Sequence, residues 1–250
     1  MILNFSKAPN KQRSLMAKFF SVGCVRLFKV SELECGYAMI RNVMSDNQLV
    51  ALQTNLVDLT LASRRGGIRS AEKKFLSIAL LAKSGPILGL VHAYLSKPAQ
   101  LVRAILFDKS EENNWFVPWY QDKTVAVSSP FDGSAWGPWS LKDGVHHVQP
   151  PLHVLKEMIT LRVHLDDTGI DNGCLWVLPY SQREGVMGAE AVRQFVAKGG
   201  SVSCEARAGD VLVMCPYILH SSNKARLPGR RRVIHLEYSS FKLPCGVKWA

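Results

Sequence analysis

The spacing of apolar positions changes period once along the chain. After Ser45 and Asp46, both N-cap candidates, Leu49, Leu52, Leu56 and Leu59 recur at helical spacing. Ser70 opens a second predicted helix, with Lys73 and Lys74 outward and Phe75, Ile78, Ala79 and Ala82 inward; Gly85-Pro86 stops it, and a third helix follows over 86–96. A short strand over 36–43 precedes these helices. Beyond residue 100 the period shortens to that of strands. Segments 101–107 and 117–127 are strand-like, 159–165 alternates as a half-buried strand should, and 175–178, 202–206, 211–214 and 233–238 follow. Asp171-Asn172-Gly173, Gly199-Gly200 and Gly209-Asp210 mark turns between them, and one helix interrupts near 189–198. Many short strands joined by Gly/Pro turns predict a sandwich or barrel. The expectation is one mainly β domain over 1–250, with residues 1–100 as a mostly helical support packed on a core over 101–240. The stretch 129–151 reads as a long irregular loop. Its Phe131, Trp136, Trp139, Asp143, His146 and His147 suggest an ordered lid over a site.

Composition narrows the class. With 47% hydrophobic and 20% charged residues, the 250-residue chain is neither disordered, collagen-like nor a coiled coil. A chain this long buries roughly 70% of its unfolded surface and needs no disulfide to fold. The excess of Lys and Arg (31) over Asp and Glu (20) gives a net charge of +11, which attracts anions. The cations cluster as Arg64, Arg65, Arg69, Lys73, Lys74 and as Lys224, Arg226, Arg230, Arg231, Arg232. There is no basic tail and no RNA-binding aromatic signature, so nucleic acid is the weaker reading. A basic surface around a pocket for an anionic small molecule is the stronger one. The six cysteines lie far apart without metal spacing, which suits a reducing compartment and predicts a cytoplasmic protein. The apolar run 19–25 only weakly mimics a signal peptide. Lys83, Gly85 and Pro86 break 75–95, so no membrane span is expected there.

The chain has no G-x-S-x-G, Walker, dinucleotide-binding or HExxH motif. What remains is polar side chains on strands. Tyr120 and Asp122, two apart, point to one face; His220 follows the strand 211–214; Arg231, Val233, His235 and Glu237 share a face. An inward carboxylate, imidazole and guanidinium suggest a site for a borderline metal such as iron, with an Arg clamp for a carboxylate. Taken singly, each has a plainer use, as a turn Asp, a hydrogen-bonded His or a solvated Arg.

Order and local context add to this. Trp119-Tyr120-Gln121-Asp122 resembles the W-H-Q-D motif of the phytanoyl-CoA dioxygenase family, and residues 172–179 (Asn-Gly-Cys-Leu-Trp-Val-Leu-Pro) resemble its N-G-x-L-x-V-x-P segment. Gly209-Asp210-Val211-Leu212 is similar to the strand that leads to its distal His. His220-Ser221-Ser222, with Arg231 eleven residues beyond His220, is similar to its distal His, Ser and 2-oxoglutarate Arg. The resemblance runs over about 117–238. It implies a double-stranded β-helix, a cupin-like jelly roll, holding Fe(II), with 2-oxoglutarate as co-substrate. It implies a dioxygenase that hydroxylates an unactivated C–H of a small molecule while 2-oxoglutarate becomes succinate and carbon dioxide. Asp122 and His220 would be metal ligands, and Arg231 and Ser222 would hold the co-substrate. The family's first ligand is His; here that position is Tyr120, a phenol that ionises near pH 10. The family's P-G-S-H segment is Pro179-Tyr180-Ser181-Gln182 here. Three outcomes stay open: Tyr120 ligates the metal, His146 or His147 replaces it, or the chain is a catalytically silent jelly roll that binds a small anionic ligand.

Overall fold

The computed structural model describes residues 33–56, 67–95, 97–227, 229–244 and 246–250. Leu59, Arg64, Arg65, the run 19–25, Cys24 and Cys245 lie outside them.

The first half supplies β1 (Tyr37–Ile40), α1 (Asp46–Asn55), β2 (Ile68–Arg69), α2 (Ala71–Lys74), α3 (Leu76–Ala82), α4 (Gly85–Tyr94), β3 (Gln100–Lys109), β4 (Val117–Tyr120) and β5 (Val125–Val127). The second supplies β6 (Trp139–Lys142), β7 (Val145–Val148), α5 (Leu152–Leu155), β8 (Met158–His164), β9 (Leu175–Val177), α6 (Ala189–Ala197), β10 (Val202–Cys204), β11 (Val211–Met214), β12 (His220–Ser222) and β13 (Arg231–Ser239). One sheet runs β1-β11-β8-β13-β3-β2, a second β10-β9-β12-β4, and a small third β5-β7-β6. The first two, antiparallel throughout, face each other as the jelly roll that the strand pattern predicts.

Four expectations are corrected. The helix expected from residue 70 is two helices, because Phe75 is extended and turns its ring onto the core. Segment 117–127 is not one strand: the chain leaves the second sheet after Tyr120 and enters the small sheet at Val125. The stretch 129–151 is not irregular. It holds the hairpin β6–β7, turned by Asp143 and Gly144, both at positive φ, the turn that an Asp-Gly pair favours. Segment 159–165 is not half-buried; every residue of β8 is buried, because the sheet is covered on both faces. Helices α3 and α4 meet at a 44° bend, and among the described residues no single helix is long and apolar enough to cross a membrane.

Helix α1 starts where the sequence marks it. Ser45 accepts from Gln48 N while Gln48 Oε1 accepts from Ser45 N at 3.1 Å, a reciprocal cap that contributes on the order of 1 kcal/mol.

The register of the six-stranded sheet separates two chemistries. On the outer face Val102, Ala104, Leu106, Ile159, Leu161, Val163, Ile234, Leu236 and Tyr238 join one apolar core with Ile78, Leu81, Ile87 and Leu90 of the helices. Tyr238 ties the layers by donating its hydroxyl to Ala82 O at 2.7 Å. The inner face follows from the pairs Lys109↔Arg231, Ile105↔His235↔Arg162 and Arg103↔Glu237↔Thr160, and it is largely polar. At the far end of that face Leu212 and Met214 pack on Leu175, Val177 and Cys204 of the second sheet, which closes the sandwich.

Candidate metal and co-substrate site

Tyr120 and His220 are paired residues on adjacent strands β4 and β12. Their rings stack at 4.3 Å between centroids, tilted by 56°. Asp122 lies just past β4, where its backbone N donates to Pro216 O at 3.0 Å. Gln121 fixes this corner. Its amide donates to Gly185 O (2.7 Å) and Tyr217 O (2.6 Å) and accepts from Met187 N (2.8 Å). Both N–H groups and the carbonyl oxygen of that buried amide are engaged, so the neighbouring Tyr120 and Asp122 are aimed by it.

The other motif residues are scaffold. Asn172 accepts from Gly169 N at 2.8 Å and donates to Asp167 O at 2.8 Å, closing the turn before β9. Gly173 follows at φ +78°, where a Cβ would lie 2.7 Å from Asn223 O. Asp210 accepts from Asn42 N (2.9 Å), Arg207 N (2.8 Å) and Arg41 Nη1 (2.7 Å), binding β1 to the turn before β11. Ser181 Oγ accepts from Leu219 N at 2.8 Å, next to His220.

His220 is 1% exposed, and its Nδ1 lies 2.9 Å from Ile218 O. A carbonyl only accepts, so the ring proton is on Nδ1. The other ring nitrogen, Nε2, faces Asp122 Oδ2, 3.5 Å away. Both atoms are buried and neither has a hydrogen-bond partner. Two buried acceptors that face each other require a cation between them, either a proton or a metal ion. The pair therefore fits a metal. Burial works to raise the Asp122 pKa, but His220, His235 and Arg103 outweigh it and hold the carboxyl below its ordinary range. Burial, and then the charge of Asp122, pushes the Tyr120 phenol well above its ordinary value, so its hydroxyl is neutral.

Of the two loop histidines, His146 and His147 both lie on β7 in the small sheet, and His147 Nδ1 donates to Val145 O at 3.0 Å. Neither is near Asp122 in the way that the last strand is. Among the described residues, the His, Cys and acidic donors close enough to share one ion are Asp122, His235 and Glu237, mutually within 4.8 Å. The sequence placed His235 and Glu237 on the face of Arg231 without singling them out; the strand parity was the signal.

The opposite end of the cleft is cationic. Arg231 is 3% exposed, and its guanidinium makes no hydrogen bond among the described residues. It is not part of a solvated cluster as its neighbours in sequence suggest. Arg232, of opposite parity, is locked on Asp166 at 2.9 and 2.7 Å, and Arg230 pairs with Asp108 at 3.2 Å. Lys109 donates to Ser222 Oγ (2.8 Å) and Asn223 O (2.7 Å). Ser222 in turn donates to Gly173 O at 2.9 Å, so its own proton is already used. Arg162 Nη1 lies 3.0 Å from His235 Nδ1, and its guanidinium lies over the Phe107 ring. Among the described residues, no carboxylate pairs with Lys109, Arg162 or Arg231. Burial, then Arg231 and Arg162, lowers the Lys109 pKa to about 7, and burial, then Arg162, lowers that of Arg231 to about 10. Sequence reasoning passed over Lys109 and Arg162. A charged residue at an inward position of an otherwise apolar strand was the available clue.

The phytanoyl-CoA dioxygenase (PhyH) family model matches residues 33–233, most of the chain. The chain belongs to the phytanoyl-CoA dioxygenase family. Iron(II) and 2-oxoglutarate are the metal and co-substrate of this family, and the protein is an oxygenase of that kind. No curated protein sequence matches it. Solved structures with the same fold include EctD from S. alaskensis in its apo form, at 18% identity and a TM-score of 0.64, covering 87% of this chain and 79% of that one. HygX from Streptomyces hygroscopicus with iron bound is 15% identical, at a TM-score of 0.59, covering 82% and 83%. SnoK, a non-heme α-ketoglutarate-dependent carbocyclase from nogalamycin biosynthesis, is 17% identical at 0.62, covering 82% and 80%. At such identities the likeness is one of fold, and for this member of the family the roles of individual residues rest on the geometry above.

Proposed function

We propose that the protein oxidises an unactivated C–H of a small molecule, with 2-oxoglutarate extended between the Asp122–His220 pair and Arg231. The observation that carries this is the unmatched polarity of the cleft: three buried basic side chains, Lys109, Arg162 and Arg231, that meet no carboxylate among the described residues, opposite two buried atoms, Asp122 Oδ2 and His220 Nε2, that take no hydrogen bond there. A dicarboxylate and a metal ion together satisfy both ends. Asp122 Oδ2 and His220 Nε2 would hold the ion. Arg231 and Lys109 would hold the far carboxylate, and Ser222 keeps Lys109 in place. When bound, the metal supplies dioxygen activation coupled to loss of carbon dioxide from 2-oxoglutarate. The chain's own residues orient the co-substrate, keep the cleft dry and fix the tautomer of His220 through Ile218 O.

The substrate side is the hairpin β6–β7. Arg69 ties β2 to it through Asp143 at 3.4 Å. Lys142 has its pKa lowered by burial and then by the charges of Arg103 and Arg69. This crowding of cations favours an anionic substrate. HygX has been crystallised with nickel, 2-oxoglutarate and hygromycin B bound, and a small molecule is the substrate class proposed for this chain too.

The neutral Tyr120 phenol favours a second reading, a silent protein that binds an anionic ligand. Calorimetric titration of 2-oxoglutarate with and without Mn(II), followed by a succinate assay with Fe(II), decides between them. Metal-enhanced binding and succinate formation are expected. Binding without any succinate would leave the silent reading, and no binding in either condition would overturn both.

A further inference from the structure

We propose that Glu237 supplies the third protein ligand of the metal site, so that the ion is held by Asp122, His220 and Glu237. This rests on the reading that Asp122 and His220 hold a metal. It adds a ligand from the last strand, beyond the residues that the family model matches, which end at 233.

Glu237 is 1% exposed. Its Oε1 accepts from both Arg103 Nη2 (2.7 Å) and His235 Nε2 (3.0 Å). Its Oε2 is buried and accepts from nothing, like Asp122 Oδ2 and His220 Nε2. These are three unpartnered donor atoms of metal-ligating type. Asp122 is common to both groupings: it lies 3.5 Å from His220 Nε2 and within 4.8 Å of Glu237. An ion held on Asp122 would have both His220 Nε2 and the Glu237 carboxylate as its neighbours.

The neighbours cannot take this place. His235 lies 3.9 Å from Asp122, but the Arg162 guanidinium only donates, so His235 Nδ1 accepts and the ring proton is on Nε2. That proton goes to Glu237 Oε1, which leaves His235 without a free lone pair and makes it a positioning residue for Glu237. The two histidines thus carry opposite tautomers, His220 with Nε2 free and His235 with Nε2 occupied. Tyr120 is engaged elsewhere: its ring is stacked on that of His220, 4.3 Å between centroids. Arg103 balances the added carboxylate charge, so the set with Glu237 carries no more net charge than an ordinary one-carboxylate site. Two carboxylates with one imidazole form a harder donor set than one with two imidazoles, which shifts preference toward oxygen-seeking ions such as Mn(II).

Mn(II) titration of the metal-free full chain, read by the electron paramagnetic resonance of free Mn(II), tests this. Glu237→Gln should weaken Mn(II) binding by more than about a hundredfold, beyond the roughly 10–100-fold that losing an outer partner costs. Tyr120→Phe should leave the affinity within about threefold. Glu237→Gln strands Arg103, so the double variant Arg103→Gln/Glu237→Gln, which removes both buried charges, must show the same loss while melting like the wild type. Wild-type affinity in that double variant, with binding lost in Asp122→Asn, would overturn the inference and leave the Asp122–His220 reading standing. Retention in Glu237→Gln with loss in His235→Gln would put the ligand on His235 and overturn it too. A wild-type chain that binds no Mn(II) would defeat the underlying reading first.

Discussion

Arg231 is expected to weaken the ligand-free fold while it strengthens co-substrate binding. Its guanidinium is almost fully buried beside Lys109 and Arg162 with no acidic partner, and its pKa falls from 12.5 to about 10. At about 1.4 kcal/mol per unit, holding it charged at neutral pH costs on the order of 3 kcal/mol when the cleft is empty. Arg231→Met keeps the length and removes the charge. The ligand-free variant should therefore melt higher than the wild type, by roughly 6–12 °C at about 2–4 °C per kcal/mol. It should also lose the charged hydrogen bonds to 2-oxoglutarate, about 1.5–3 kcal/mol, or roughly 10–150-fold in affinity. Melting curves with and without 2-oxoglutarate, together with calorimetric titration, measure both quantities. Arg232→Met is the contrast: it breaks the bidentate pair with Asp166 on the other face, so it should melt lower and bind 2-oxoglutarate as before. An Arg231→Met protein that melts lower and binds 2-oxoglutarate unchanged would show that Arg231 is structural and that the charge argument fails.

Three further outcomes follow from the same geometry. Lys109 releases its proton near pH 7 when folded and near pH 10 when unfolded, so the unfolded chain holds more protons between these values and Lys109's contribution to ligand-free stability rises with pH there. Binding of 2-oxoglutarate should then take up close to one proton at pH 8, seen as a buffer-dependent heat; equal heats in two buffers of different ionisation enthalpy would refute it. Ferric iron added to the wild type should give no phenolate charge-transfer band, because the proposed ligands are Asp122, His220 and Glu237 and not Tyr120; a visible band lost in Tyr120→Phe would refute that assignment. Gly173→Ala places a Cβ 2.7 Å from Asn223 O and 3.1 Å from Lys109 Nζ at positive φ, and urea melts should show a loss of about 1–3 kcal/mol with weaker 2-oxoglutarate binding.

Much of the site could be read from the chain because strand parity is a local property. Arg231 faces inward and Arg230 and Arg232 do not, which alternation alone predicts. Asp122 and His220 were legible through their flanking segments, even though His220 opens a strand of its own rather than following one. The hairpin β6–β7 was hidden by the prolines and aromatics around it, although Asp143-Gly144 marks its turn. Lys109, Arg162 and Glu237 were obscured for another reason. Their meaning depends on cross-strand neighbours far away in sequence, such as Arg103↔Glu237 and Arg162↔His235, and no local pattern encodes those. The tautomers of His220 and His235 are set by Ile218 O and Arg162, and only three-dimensional contact reveals them.

Strand β13 is buried at all nine of its positions, with alternate residues serving the helical core and the cleft. A single-residue insertion or deletion near Val233 would exchange those two roles downstream. Ile234, Leu236 and Tyr238 would turn into the cleft, and His235 and Glu237 would be driven into hydrocarbon. A substitution alters one side chain on one face, whereas a change of length moves every side chain beyond it to the other face. In the lineage of this protein the apolar positions of the final strand should drift in identity while its residue count between Arg231 and Tyr238 stays fixed, or changes only in steps of two.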